Sequence, residues 1–143
     1  AQIAASGQQY LDQAAISLLE TASPRYKITL SALYRNGPCT INLRETLFGE
    51  SSAFVDGGGN NNYVRNVIGE KLITDLDLTY QVTEAVRVSL GADNLFDVRP
   101  DKVNPITFAA GVANGGNGSQ VTNNFSPFGI NGGYYYTRLT YAF

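Results

Sequence analysis

The sequence predicts an all-β fold of antiparallel strands in up-and-down order, a segment of the wall of a transmembrane β-barrel. Three observations predict it. Apolar and polar residues alternate with a period of two in about five segments. The connections between those segments are alternately tight and very long. The polar side of each segment is too polar for the interior of a β-sandwich, where both inner faces are apolar.

The first segment, Arg25 to Arg35, sets Tyr26, Ile28, Leu30, Ala32 and Tyr34 against Lys27, Thr29, Ser31, Leu33 and Arg35. Asn36, Gly37 and Pro38 supply a tight turn. From Cys39 to Phe48, Cys39, Ile41, Leu43 and Leu47 oppose Thr40, Asn42, Arg44 and Thr46. Glu45 interrupts that apolar face. It predicts a bulge or a place at the outer rim, because a carboxylate facing lipid is costly at mid-height and less so near the interface.

A loop rich in Gly and Asn (Gly57 to Asn62) precedes the third segment. There Leu72, Thr74, Leu76, Leu78, Tyr80 and Val82 oppose Ile73, Asp75, Asp77, Thr79 and Gln81. A short turn at Thr83 and Glu84 leads to Val86, Val88, Leu90 and Ala92, opposed by Arg87, Ser89, Gly91 and Asp93. A second long loop, with Gly115, Gly116, Asn117 and Gly118, precedes the last segment, Tyr134 to Phe143. Its faces are Tyr135, Thr137, Leu139, Tyr141, Phe143 and Tyr136, Arg138, Thr140, Ala142.

The long connections, roughly twenty and forty residues, argue against a soluble domain, where structureless loops above about fifteen are uncommon. Outer-membrane barrels expect them, with tight turns on the periplasmic side and long loops outside. On that assignment Tyr34, Tyr80 and Phe143 lie near one rim, and Tyr26, Phe96 and Tyr135 near the other. Amphipathic rings favour those two interfaces. Tyr is also simply a good strand residue, so the loop asymmetry carries more of the argument.

Composition narrows function. The chain holds 143 residues with 15% charged residues, a net charge of -2 and no basic run, so nucleic acid is not an expected partner. His is absent, which removes the commonest general base and metal ligand. The one cysteine, Cys39, cannot form an internal disulfide or a cysteine-rich metal site. No apolar run reaches the eighteen or so residues of a membrane helix, and Ala1 to Tyr10 does not read as a signal peptide. No enzyme and no cofactor is expected.

Four segments resemble the C-terminal part of TonB-dependent outer-membrane receptors. They are Leu18-Leu19-Glu20 with Ser23 to Lys27; Ile73 to Leu78; Leu90 to Asp97; and Phe125-Ser126-Pro127-Phe128-Gly129 before the closing segment. The most specific is Asn94-Leu95-Phe96-Asp97, after an alternating segment and before a long loop. Leu139, Tyr141 and Phe143 in a terminal strand ending on Phe resemble the signal read by the barrel-assembly machinery.

The resemblance implies a barrel of about twenty-two strands around a plug. This chain would supply the last five strands and their loops (residues 25–143), and residues 1–24 the preceding external loop. The plug, and with it the part that meets the TonB complex, is expected upstream. The implied activity is TonB-driven uptake of a scarce ligand (ferric siderophore, cobalamin or glycan) across the bacterial outer membrane. The implied partners are outer-membrane lipid, the rest of the barrel and plug, and the assembly machinery. A passive porin or other outer-membrane barrel, and a soluble β-rich binding module, remain alternatives.

Candidate residues have plain readings beside functional ones. Asp75 and Asp77 have the spacing of two residues on one strand face, which explains them without a glycosidase pair. Arg44, Arg87 and Arg138 could form a basic lumen track for an anion, or pair with lumen carboxylates such as Asp75, Asp77 and Asp93 or with plug groups; pairing is preferred. Gly57 to Gly59 lacks the Lys and Ser/Thr of a phosphate loop. Asn117-Gly118-Ser119 matches a sequon and is read as loop chemistry, and Asn94 to Asp97 as a structural turn.

Overall fold

A computed structural model describes residues 11–58, 62–114 and 122–143. Ala1 to Tyr10, much of the Gly/Asn loop and the whole of the Asn117-Gly118-Ser119 sequon lie outside the described residues. The chain is mostly antiparallel β and divides into two units. One consists of Tyr26–Gly49, Glu70–Arg99 and Gly129–Phe143; the other of Ala1–Arg25, Glu50–Gly69 and Pro100–Phe128.

The first unit is a five-stranded sheet, antiparallel throughout, whose two edge strands have no further partner strand among the described residues. Its strands are β1 (Lys27–Asn36), β2 (Cys39–Phe48), β5 (Lys71–Gln81), β6 (Val86–Asp93) and β7 (Tyr134–Tyr141). These are the five alternating segments, with ends moved by one or two residues. β1 and β2 each hold ten residues. Ten residues extend about 33 Å, and tilted by about 45° they span close to the apolar band of about 25 Å of an outer-membrane barrel.

Register sorts the side chains. The pairs Leu30↔Glu45, Ala32↔Leu43, Ile41↔Leu78, Leu43↔Leu76, Leu78↔Leu90, Tyr80↔Val88 and Val88↔Leu139 put every apolar row on one face. A slip of one residue in any strand would have mixed the faces. The apolar face is uncovered: Leu30 is 68% exposed and Leu139 70%, and Ile28, Leu43, Leu72, Leu78, Leu90 and Tyr141 are exposed as well. Full burial of an aliphatic side chain is worth roughly 1.5–3 kcal/mol, and each of these positions forgoes a part of that in proportion to its exposure. Two hollows of the sheet open on the opposite, polar face, one of about 590 Å³ and one of about 110 Å³.

Of the two expectations for Glu45, a bulge or a place at the outer rim, the bulge is corrected. There is no bulge, since Glu45 pairs in register with Leu30 and Thr74. It points to the apolar face three residues before the end of β2, where the buried Thr74 hydroxyl donates to Oε1 (3.1 Å) and Oε2 (2.9 Å). The carboxylate is accommodated by a hydrogen bond rather than by a backbone defect.

The second unit corrects another. The long connections, read as structureless, contain a hairpin of β3 (Ser51–Asp56) and β4 (Tyr63–Ile68) and a helix, α2 (Pro105–Ala113). The chain before β1 carries helix α1 (Gln13–Glu20). Asp12 caps α1, its side chain accepting from Ala15 N at 2.7 Å, and Asn104 caps α2, with Pro105 at the first position. α1 also covers the free edge of β3: Ser52 N donates to Thr21 O (2.9 Å) and Phe54 N to Ser17 Oγ (2.8 Å). Covering an edge leaves it unavailable for stray pairing.

Candidate functional site

The polar face of the sheet is where the singled-out side chains meet. Arg44, Asp75, Asp77, Arg87, Asp93 and Arg138 all lie on it, because register pairs Arg44 with Asp75, Asp77 with Gly91, Arg87 with Thr140 and Asp93 with Tyr134. The end of the sheet where Lys27, Phe48 and Lys71 align feeds the long connections; the end with Asn36, Cys39 and Tyr80 carries the tight turns.

Toward the long-loop end two of the three carboxylates, Asp75 and Asp77, are engaged. Asp75 Oδ2 accepts from Arg44 Nε at 2.8 Å, and Asp75 Oδ1 accepts from Asn94 N at 2.8 Å. One aspartate therefore joins β2, β5 and the turn that follows β6. Asp77 accepts from Tyr136 Oη at 3.0 Å and from Thr79 Oγ1 at 2.8 Å. Tyr136 reaches it across Gly91: a Cβ there would stand 2.1 Å from Tyr136 Cζ. Glycine in β6 is thus the groove in which an aromatic ring from β7 lies. Asp75 and Asp77 serve as structural acceptors, and neither presents a free carboxylate pair.

Asn94-Leu95-Phe96-Asp97 forms a locked turn. Asn94 and Asp97 take left-handed backbone, φ 55° and 52°, which Asn and Asp tolerate better than other residues with a Cβ. Asn94 clamps Val98 twice, accepting from its N (2.9 Å) and donating to its carbonyl (2.7 Å). Leu95 N donates to Thr74 O at 2.7 Å, extending the pairing with β5. Asp97 Oδ1 accepts from Gly133 N at 2.8 Å, and Tyr135 Oη donates to Leu95 O at 2.9 Å, which ties the turn to the start of β7. The Gly133 amide first, then Arg99, hold the Asp97 carboxyl below its ordinary value. Gly132 is required where it stands, since a Cβ there would meet Asp97 Oδ1 at 2.0 Å.

The tight-turn end is different. Its hollow of about 590 Å³ is lined by Arg35, Arg87 and Arg138 with Thr40, Thr79, Ser89, Thr140 and Gln81, and no carboxylate. Arg87 donates to Gln81 Oε1 at 2.9 Å, and Arg138 lies 5.4 Å from the Tyr136 ring centre. Among the described residues, pairing with a carboxylate holds for Arg44, whereas Arg87 and Arg138 meet neutral groups. The expected track included Arg44, which is neutralised, and omitted Arg35, whose place on the same face was legible from the alternation of β1.

Leu139 and Tyr141 are exposed on the apolar face of β7, and Phe143 follows the strand, its ring 6.3 Å from that of Tyr141. In the second unit the fully buried groups are mostly polar. Asn66 Nδ2 donates to Thr107 Oγ1 (3.1 Å), Asn66 Oδ1 accepts from Asn104 N (2.7 Å), and Asn123 Nδ2 donates to Asp101 O (3.0 Å). Among the described residues no group of three His, Cys, Asp or Glu could hold a metal, and no helix is long and apolar enough to cross a membrane. Comparison with models of known families, with curated proteins and with solved structures returns no match.

Proposed function

We propose that the chain forms part of the wall of a bacterial outer-membrane β-barrel of about twenty-two strands, in a TonB-dependent receptor that takes up a scarce ligand such as a ferric siderophore, cobalamin or glycan. One observation carries the membrane part of the reading. The five-stranded sheet exposes its apolar face and turns its charged, hollowed face the other way, the reverse of a sheet on a soluble core. The unpaired edges of β1 and β7 support the view that more strands complete the structure, because lipid tolerates no open edge. The receptor part rests on the Asn94 to Asp97 turn and the order of the other resembling segments.

On this reading Arg44, Asp75, Asp77, Arg87, Asp93 and Arg138 face the lumen. Leu139, Tyr141 and Phe143 serve as the signal read by the assembly machinery, and TonB engages the receptor's plug.

A strain lacking the gene tests the reading. Uptake of labelled ferric siderophore, cobalamin and oligosaccharide is measured with and without a protonophore, beside fractionation and heat-modifiable migration of the protein. Loss of one uptake in the deletion strain, abolished by protonophore in the parent, supports the receptor. Uptake indifferent to the protonophore makes the protein a passive porin. Recovery in the soluble fraction sinks both barrel readings.

A further inference from the structure

The polar face divides by charge. Toward the long-loop end three aspartates accompany Arg44, and Asp75 neutralises that arginine at 2.8 Å. Toward the tight-turn end Arg35, Arg87 and Arg138 share one hollow and form no ion pair among the described residues. Like charges gathered without a counter-ion raise the positive potential of a concave surface and draw anions to it.

Geometry adds to charge. Register places Arg87 opposite Thr140 and Arg138 opposite Ser89, so the two arginines occupy diagonal positions on adjacent strands, about 7–8 Å apart. Both are held by neutral groups, Arg87 by Gln81 Oε1 and Arg138 by the Tyr136 ring. Such partners orient a guanidinium without cancelling its charge and leave most of its N–H donors for a planar or tetrahedral oxyanion. Arg35 lies in the same row as Arg138, four strand spacings of about 4.8 Å away, so the site suits an extended ligand better than a lone ion. The hollow, about 590 Å³, has the size of a small-molecule site.

We infer that this end of the polar face is a binding site for a polyanionic small molecule. Arg87 and Arg138 clasp one phosphate or carboxylate group and Arg35 meets a second. The inference goes beyond the uptake reading and needs only that the polar face meet water.

Two probes separate phosphate from carboxylate chemistry: inorganic tripolyphosphate and citrate. Each is titrated calorimetrically into the protein expressed from its native gene and folded in detergent micelles. Saturable binding of at least one is expected, weakened about tenfold by Arg87→Gln or Arg138→Gln, less by Arg35→Gln, and unchanged by Arg44→Gln. Arginine modification of the unsubstituted protein by phenylglyoxal, mapped by peptide, gives an independent reading if a variant fails to fold. The bound anion should protect Arg87 and Arg138 and leave Arg44 unaffected. No saturable binding of either anion, or equal effects at Arg44, overturns the inference. A folded outer-membrane barrel that binds neither anion would end this inference and leave the uptake reading standing. A soluble protein that binds one would do the reverse.

Discussion

The two units solve opposite problems. The sheet joins its strands by regular ladders and sorts its side chains by face, apolar to one side and charged to the other. The unit built from the long connections has short elements, and its apolar burial is slight: Ala53 and Ile68, each 1% exposed. Polar groups fill the rest, with Asn66 and Asn123 as inaccessible as those two and with Ser51 and Ser52 buried beside them. The difference teaches where specificity comes from in each. In the sheet it is a pattern, tolerant of which apolar residue stands at a position. In the loop unit it rests on individual hydrogen bonds such as those of Asn66 and of the Asn123 amide N–H, each expensive to lose. Ser51 Oγ and Asn123 Oδ1 have no partner among the described residues.

The sharpest way to break that contrast is to put one charge on each face of the same strand pair. Leu78→Arg on the apolar face should destabilise the barrel by about 2–4 kcal/mol if that face meets lipid. Asn42→Arg, on the polar face, should be close to neutral. The heat-modifiable fraction in outer-membrane preparations measures both, and equal tolerance would show that the sheet does not sit in a bilayer.

A smaller effect tests the loop unit. Asn66→Ala removes the acceptor for Asn104 N and the donor to Thr107, and should cost about 1–3 kcal/mol. Because α2 is tethered there, the loss should appear as faster protease cleavage within Pro100–Phe128 while the sheet stays heat-modifiable. Loss of the sheet instead would mean that the two units fold as one.

Gly91→Ala sharpens the pattern side of the comparison. The added methyl collides with the Tyr136 ring, an overpacking worth about 1–3 kcal/mol. A second change, Tyr136→Ser, should recover most of it, read as the midpoint of urea unfolding in micelles. Failure of the double variant to recover would show that Gly91 is needed for its backbone rather than for the space it leaves.

The smallest effect is electrostatic. Asp97 is depressed in the folded protein, so its contribution is complete above the unfolded carboxyl value of about 3.9 and is lost as pH falls through the lower folded value. The exchange protection of the Gly133 amide, its bonding partner, should therefore be flat from pH 7 to about 4 and drop below that. Asp97→Asn should flatten the acid limb. An unchanged acid limb would assign the titration to another carboxylate.

Much of the sheet was legible in advance because the period of two is local. Each residue's face follows from its neighbour's, and register in a two-faced sheet follows from the faces. That placed Arg87, Arg138 and the three aspartates on one side without any knowledge of contacts. The hairpin of β3 and β4 carries a weaker local signal, because neither six-residue run, Ser51–Asp56 or Tyr63–Ile68, alternates, although the two flank a Gly/Asn turn. Asp12 and Asn104-Pro105 are readable helix starts, but the helices they open hold only eight and nine residues, too few for a strong periodic signal.

What the sequence by itself determined is the alternation, and with it the strands, their faces and the residue types offered to each side. Only tertiary structure decided which charges cancel. Arg44 and Arg138 look alike along the chain, yet one stands across from Asp75 and the other across from Ser89. Pairing between strands is a long-range choice, set by which rows align once five strands share a register, and no local pattern encodes it. The same holds for Asn94 and Asp97. Their turn chemistry is local, but their anchors, Asp75 and Gly133, come from distant parts of the chain and meet them only in the folded sheet.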